Sequence, residues 1–124
     1  MRPTILIVDD SATMRALVRQ ALEADACTVI EAPHGVAALA ALERGHADLV
    51  ITDLLMPEMD GLSLTRSLRA DARFATLPIL VLTTEAAAAV KERGRDAGAT
   101  GWLGKPFHPD TLRQTVRRVL AEHA

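Results

Sequence analysis

The residues able to do chemistry in this chain are Asp9, Asp10, Asp53, Thr83 and Lys105. Each closes or follows a short apolar run. Asp9 and Asp10 follow TILIV, Asp53 follows LVIT, Thr83 follows ILVL, and Lys105 with Pro106 follows GWLG. Carboxylates gathered at one place repel one another, and a hard divalent cation relieves the repulsion. Mg²⁺ takes oxygen ligands and usually keeps waters and phosphate oxygens in its shell. A carboxylate facing the open side of such a site can attack a phosphoryl group. The transition state then spreads charge over the equatorial oxygens, which a metal ion, an ammonium and a hydroxyl are suited to stabilise.

Taken singly, each residue has a plainer reading. Asp10 before Ser11 suits a helix N-terminus. Asp53 could start the turn that contains Pro57 and Gly61, although a carboxylate closing a buried run is costly unless partnered. Thr83 suits a strand by its β-branch, and a lone lysine such as Lys105 is normally a solvated loop residue. The chemistry rests on the five being together, and that depends on the elements that carry them.

Those elements alternate. Apolar runs at Thr4–Val8, Thr28–Ile30, Leu49–Thr52, Ile79–Leu82 and Gly101–Leu103 lack polar alternation, as expected of strands buried on both faces of a parallel sheet. Between them lie helix patterns. Met14, Leu17, Val18, Ala21 and Leu22 share one face, as do Val36, Leu39, Ala40 and Leu42, then Leu62, Leu64, Thr65 and Leu68, and last Leu112, Val116, Val119 and Leu120. Residues 86–97 are strong in helix propensity but nearly lack bulky apolar side chains. Five βα units in series predict a three-layer α/β fold with right-handed crossovers. In such sheets ligands bind beyond the carboxyl ends of the strands. That is the end at which all five residues fall. Strand 2 ends in Glu31 and Ala32 and offers less. The pattern does not set the strand order.

The 124 residues predict one domain, 1–124, with no linker or repeat. A formal net charge of −2 argues against a nucleic-acid-binding surface. No apolar run approaches a membrane span, and the apolar stretch after MRPT is too short for a signal peptide. Cys27 is the single cysteine, which excludes an internal disulfide and, with no export signal, suits the cytoplasm.

ILIVDD, ITDLLMPEMDG, ILVLTTE and GWLGKPF resemble, in that order, the motifs of response-regulator receiver domains, and the resemblance runs from Thr4 to the last helix. Four linked motifs with consistent spacing are far more specific than any one. The resemblance implies a flavodoxin-like (βα)5 three-layer sandwich with strand order 2-1-3-4-5; a member of this family is the standing example of that order. It implies Asp53 as phosphoacceptor. It implies Mg²⁺ held by Asp53, by Asp10, by Asp9 directly or through water, and by the backbone carbonyl of Leu55. Thr83 and Lys105 would bind the phosphoryl oxygens, and the Lys105–Pro106 peptide would be cis. Lys105 is expected to find a partner only when an anion is bound, and so to matter more to signalling than to folding. The implied donor is a phosphohistidine on a sensor histidine kinase.

VLTTE, AGATGW and KPFHPDTL are most similar to the chemotaxis-type single-domain regulators. With no residues left for an output domain, the expected output is a phosphorylation-dependent contact with a target protein, such as the flagellar motor switch, made by a monomer through the fourth helix, strand 5 and the fifth helix. Arg113, Arg117 and Arg118 are candidates to meet an acidic target. Trp102 stands where the family usually has Tyr or Phe as its moving aromatic, which makes Thr83 and Trp102 the expected switch pair. His34 stands where Asp or Asn commonly precedes this glycine and reads as a loop side chain. Leu55 is often polar in relatives, and Gly104 replaces a larger strand residue.

Other functions were weighed. A phosphorelay carrier or phosphate sink needs the same site. An aspartyl-phosphate hydrolase of the haloacid-dehalogenase type expects D-x-D at strand 1, where this chain has adjacent acids. A flavodoxin-like electron carrier expects a Ser/Thr/Gly phosphate loop after strand 1, whereas Asp10 and Ser11 stand there, and Phe74, Trp102 and Phe107 are thin for holding a flavin.

Overall fold

The computed structural model describes residues 2–54, 56, 59–83 and 95–123. The order is β1 (Thr4–Val8), α1 (Ala12–Glu23), β2 (Thr28–Ala32), α2 (Gly35–Arg44), β3 (Leu49–Asp53), α3 (Gly61–Arg69), a 3-10 turn (Ala72–Phe74), β4 (Ile79–Thr83), β5 (Gly101–Gly104) and a C-terminal helix (Pro109–Glu122). The strands form one parallel sheet in the order β2-β1-β3-β4-β5. Strands 2 to 5 run one or two residues past the apolar runs, because the ladder continues through Glu31, Asp53, Thr83 and Gly104.

Alternation along each strand divides the core between the two faces of the sheet. Ile5, Ile7, Leu49, Ile51, Leu80 and Leu82 pack with Val18 and Leu22 of α1 and with Leu112, Val116 and Val119 of the C-terminal helix. Leu6, Val8, Val50 and Ile79 pack with Ala38 and Leu42 of α2 and Leu64 and Leu68 of α3. Both faces are covered, hence the unbroken apolar runs. Each such side chain, fully buried, contributes roughly 1.5–3 kcal/mol.

The predicted helix faces hold for α3 and the C-terminal helix and need correction in α1 and α2. Leu17 is 48% exposed, and so is Val36. The buried side of α2 is Gly35, Ala38 and Leu42, about a quarter of a turn from the predicted stripe, with which it shares Leu42. An alanine-rich helix offers too little contrast in side-chain size to fix its rotation; contact with the sheet decides it.

Helix starts are capped by side chains that the strand-to-helix turns supply. Ser11 Oγ accepts from Met14 N at 3.1 Å, and Asp60 Oδ1 accepts from Ser63 N at 2.8 Å. His34 is not simply a loop residue, since its Nδ1 accepts from Ala37 N at 3.1 Å and caps α2. Such caps satisfy amides that the first turn leaves without helical partners. They also hold the turns at the carboxyl end of the sheet, where the chemistry-bearing residues lie.

Candidate functional site

Asp9 extends the β1 ladder by one residue, its N–H donating to Ala32 O at 3.1 Å. Its side chain is buried, with Oδ1 accepting from Ser11 N at 2.9 Å and Oδ2 accepting from Lys105 Nζ at 3.2 Å. Asp53 ends β3, the strand beside β1, and its side chain is 14% exposed. Its Oδ1 accepts from Leu54 N at 2.8 Å and lies 3.1 Å from Lys105 Nζ. Asp10 follows Asp9 and is exposed. One carboxylate oxygen from each of Asp9, Asp10 and Asp53 lies within 4.8 Å of the others.

Lys105 reaches this cluster from the turn after β5. Its N–H donates to Thr83 O at 2.8 Å, and the Lys105–Pro106 peptide is cis. Thr83 ends β4 and is buried, one residue beyond the Leu82 that pairs with Asp53. The structure thus gathers Asp9, Asp10, Asp53 and Lys105, with Thr83 on the adjoining strand. Leu55, Thr84 and Glu85 lie outside the described residues. The expectation that Lys105 would lack a partner without a bound anion is overturned: it bridges Asp9 and Asp53. Neighbouring carboxylates are themselves anions, and a half-buried ammonium pairs with them.

Charge is unbalanced here, with one ammonium against three carboxylates. Burial pushes the Asp53 carboxyl above its ordinary value and the nearby Asp9 charge adds to this, against the opposing pull of Lys105 and the Leu54 N–H. Burial alone would lower Lys105, yet its hydrogen bond and attraction to Asp53 and Asp9 raise it. A donor set made of oxygens, with negative charge in excess, fits Mg²⁺.

Two further residues shape the site, and neither stood out in the sequence. A Cβ built on Gly61 would lie 2.2 Å from Asp53 O, and the Gly61 N–H donates to Leu54 O at 2.9 Å. The start of α3 is therefore packed directly on the backbone of the acidic strand end. Gly61 was visible as a turn residue, but the close approach was not. Gly61→Ala is expected to cost about 2 kcal/mol, within the range for overpacking, and to weaken Mg²⁺ binding, because the obstructing atom is backbone and cannot rotate away. Thermal denaturation with a Mg²⁺ titration checks this; unchanged values for both would mean that the contact is slack. The second residue is Arg15, whose Nη1 donates to Asp9 O at 2.6 Å. It lies six positions after Asp9, on α1 while the acids precede that helix, so no helical spacing links them in the sequence.

Trp102 on β5 is half-buried and packs with Leu54, Leu62, Val81 and Ala97. Registered partners in a parallel sheet share a face. Trp102 pairs with Val81 and Gly104 with Thr83, so Trp102 and Thr83 lie on the same side of the sheet, two residues apart along the strands. Among the described residues, a Cβ on Gly104 would meet nothing within 4 Å.

Residues 5–117 match the family model of the response regulator receiver domain. The chain is 40% identical over 118 residues to the chemotaxis protein CheY1 of Helicobacter pylori, covering 94% of this chain and 95% of that one. It is 37% identical to the chemotaxis protein CheY homolog of Campylobacter jejuni, over 94% of this chain and 91% of the relative. The structure of Vibrio cholerae chemotaxis protein CheY4 superposes with a TM-score of 0.92 at 39% identity, covering 96% of this chain and 99% of that chain.

Proposed function

This chain belongs to the response regulator receiver domain family, and from that premise we propose that it is a single-domain chemotaxis-type regulator that takes a phosphoryl group on Asp53. The observation that carries the proposal is the cluster of Asp9, Asp10 and Asp53 oxygens within 4.8 Å, bridged by Lys105. Family membership displaces the flavin-carrier and hydrolase readings.

In this reading Asp10, Asp53, Asp9 directly or through water, and the Leu55 carbonyl would hold Mg²⁺, which would neutralise charge on the incoming phosphoryl oxygens. An Asp53 carboxylate oxygen forms the new P–O bond as the P–N bond of a kinase phosphohistidine breaks. Lys105 moves from a carboxylate partner to a phosphoryl oxygen and keeps its charge throughout. Hydrolysis of the acyl phosphate later returns the carboxylate. The setting is the cytoplasm, and the regulator acts as a monomer on a protein target, for which relatives named as chemotaxis proteins suggest the flagellar switch. Among the described residues no helix is long and apolar enough to cross a membrane.

The basic residues suggested for the output face are less free than composition implies. Arg117 pairs with Asp25 at 2.7 Å, and Arg113 pairs with Asp110. Arg118 is exposed on the same helix. Much of the predicted fourth helix lies outside the described residues.

The switch reading is tested at Trp102. A Thr83 hydroxyl drawn to a phosphoryl dianion gains a charge-assisted hydrogen bond and vacates space on the face that carries Trp102. Trp102 is the single tryptophan, and the chain has no tyrosine, so its emission reports this position alone. Beryllofluoride with Mg²⁺ is expected to change its intensity or emission maximum, and Thr83→Ala to blunt the change. An unaltered spectrum in protein shown to bind beryllofluoride would mean a static indole and another route of signalling.

A further inference from the structure

We propose that Arg15 is a positioning residue for the metal-binding acids, and that it acts through backbone geometry rather than charge. The inference rests on the Mg²⁺ site described above. Arg15 sits on α1 and turns its guanidinium back over the strand-to-helix junction. Nη1 donates to Asp9 O at 2.6 Å, and Nε donates to Glu31 Oε1 at 3.0 Å. Glu31 is itself held from its other oxygen by Arg19 Nε at 2.6 Å, and its carboxyl lies below its usual range, first because of the hydrogen bond from Arg19 and further because of that from Arg15. Arg19 also reaches Val29 O at 3.4 Å and Glu23 at 3.2 Å. The Arg15 side chain is 18% exposed. A planar fork so anchored presents its remaining donor in one direction.

What it grips is the carbonyl of the peptide that joins Asp9 to Asp10. The other polar groups of Asp9 are also engaged: the N–H by Ala32 O, Oδ1 by the Ser11 amide, and Oδ2 by Lys105. Holding the Asp9 carbonyl sets the plane of the following peptide, and that plane sets where the exposed Asp10 carboxylate leaves the chain. The edge strand β2 thereby takes part in the site through Glu31. Groups that orient metal ligands from behind typically change affinity by about 10–100-fold when removed.

The sign of the effect separates geometry from charge. Removing a cation near a Mg²⁺ site should tighten binding if charge dominates. Removing the grip on the Asp9–Asp10 peptide should weaken it. Arg15→Ala is expected to weaken Mg²⁺ about tenfold, read by calorimetric titration with the metal alone, and to speed amide exchange at Asp10 and Ser11 in metal-free protein. Arg15→Lys keeps the charge but lacks the fork and is expected to weaken binding as well. Arg19→Ala also removes a cation, and it frees Glu31 from its other partner while Arg15 keeps its own contacts with Glu31 and Asp9 O; it is expected to weaken Mg²⁺ in the same direction but less than Arg15→Ala, where a charge effect would tighten it. Should Arg15→Ala fold poorly, Glu31→Gln loosens the anchor while leaving Arg15 in place; because it also removes a negative charge, its deciding readout is faster amide exchange at Asp10 and Ser11 in metal-free protein, which loss of charge alone would not produce. Equal or tighter binding in the folded Arg15 or Glu31 variants, with unchanged exchange at Asp10 and Ser11, would overturn the proposal. A wild type that binds no Mg²⁺ would defeat the metal-site reading itself, and the assignment of Arg15 would then stand or fall on the exchange rates.

Discussion

Asp53→Asn is expected to reduce labelling by acetyl phosphate and Mg²⁺ to background, where wild type gains one phosphoryl group by mass spectrometry. The amide has no nucleophilic oxyanion, and the deeper Asp9 has both oxygens engaged, by the Ser11 amide and Lys105, whereas the Leu54 amide and Lys105 both meet Asp53 at Oδ1. The same substitution is expected to raise the melting temperature of the metal-free protein at neutral pH. Burial, joined by the Asp9 charge, lifts the Asp53 carboxyl above its ordinary value, so ionised Asp53 opposes folding. The penalty grows as pH rises from near the unfolded value of 3.8 through the raised folded value, and it persists to neutrality. Below the unfolded value the variant should lose its advantage. Mg²⁺ should stabilise wild type more than Asp53→Asn. Equal phosphoryl labelling of the variant would move the acceptor elsewhere.

Lys105→Met is expected to separate two roles that the ammonium combines. At neutral pH without metal, it leaves buried Asp9 and half-buried Asp53 without their shared counter-charge. A loss of about 3 kcal/mol is expected, at the low end for breaking a buried pair from one side because the site is partly open. The sign follows from the shifts. The Lys105 value is raised, so its contribution is fully present below its unfolded value of 10.5 and is lost only as pH climbs through the folded value. In the variant, acid should relieve the instability by protonating the carboxylates. Mg²⁺ should bind more tightly than in wild type, because a competing cation is gone, yet beryllofluoride should no longer change Trp102 emission. Melts across pH with and without Mg²⁺ measure this. A variant as stable as wild type, with the same Mg²⁺ affinity, would mean that the bridge to Asp9 and Asp53 contributes nothing in solution.

β1 was readable to the residue, because Ile5 and Ile7 face one helical layer and Leu6 and Val8 the other, leaving no place for a polar residue. The other strands were underestimated at their ends, where Glu31, Asp53, Thr83 and Gly104 stay in the ladder although none continues the apolar run. Hydrogen bonding between backbones does not depend on side-chain polarity. The face of α3 was correct because Leu62, Leu64, Thr65 and Leu68 stand against charged neighbours. The face of α2 was not, because alanine is tolerated on either side.

The class of fold, the motif order and the identity of the acids are written in residue types and in spacing along the chain. Counting alone places Asp9, Asp10, Asp53, Thr83 and Lys105 at the same ends of their strands. Their electrostatics and their support come instead from contacts made on folding. Lys105 and Asp9 are 96 positions apart, and their 3.2 Å contact exists because β1 and β5 both run to the carboxyl end of one parallel sheet. Gly61 is required by the Asp53 carbonyl pressed against it, and Arg15 reaches the acidic junction because β2 holds Glu31 behind it. These are contacts between residues that local patterning does not link, so they appear only when the chain has closed on itself.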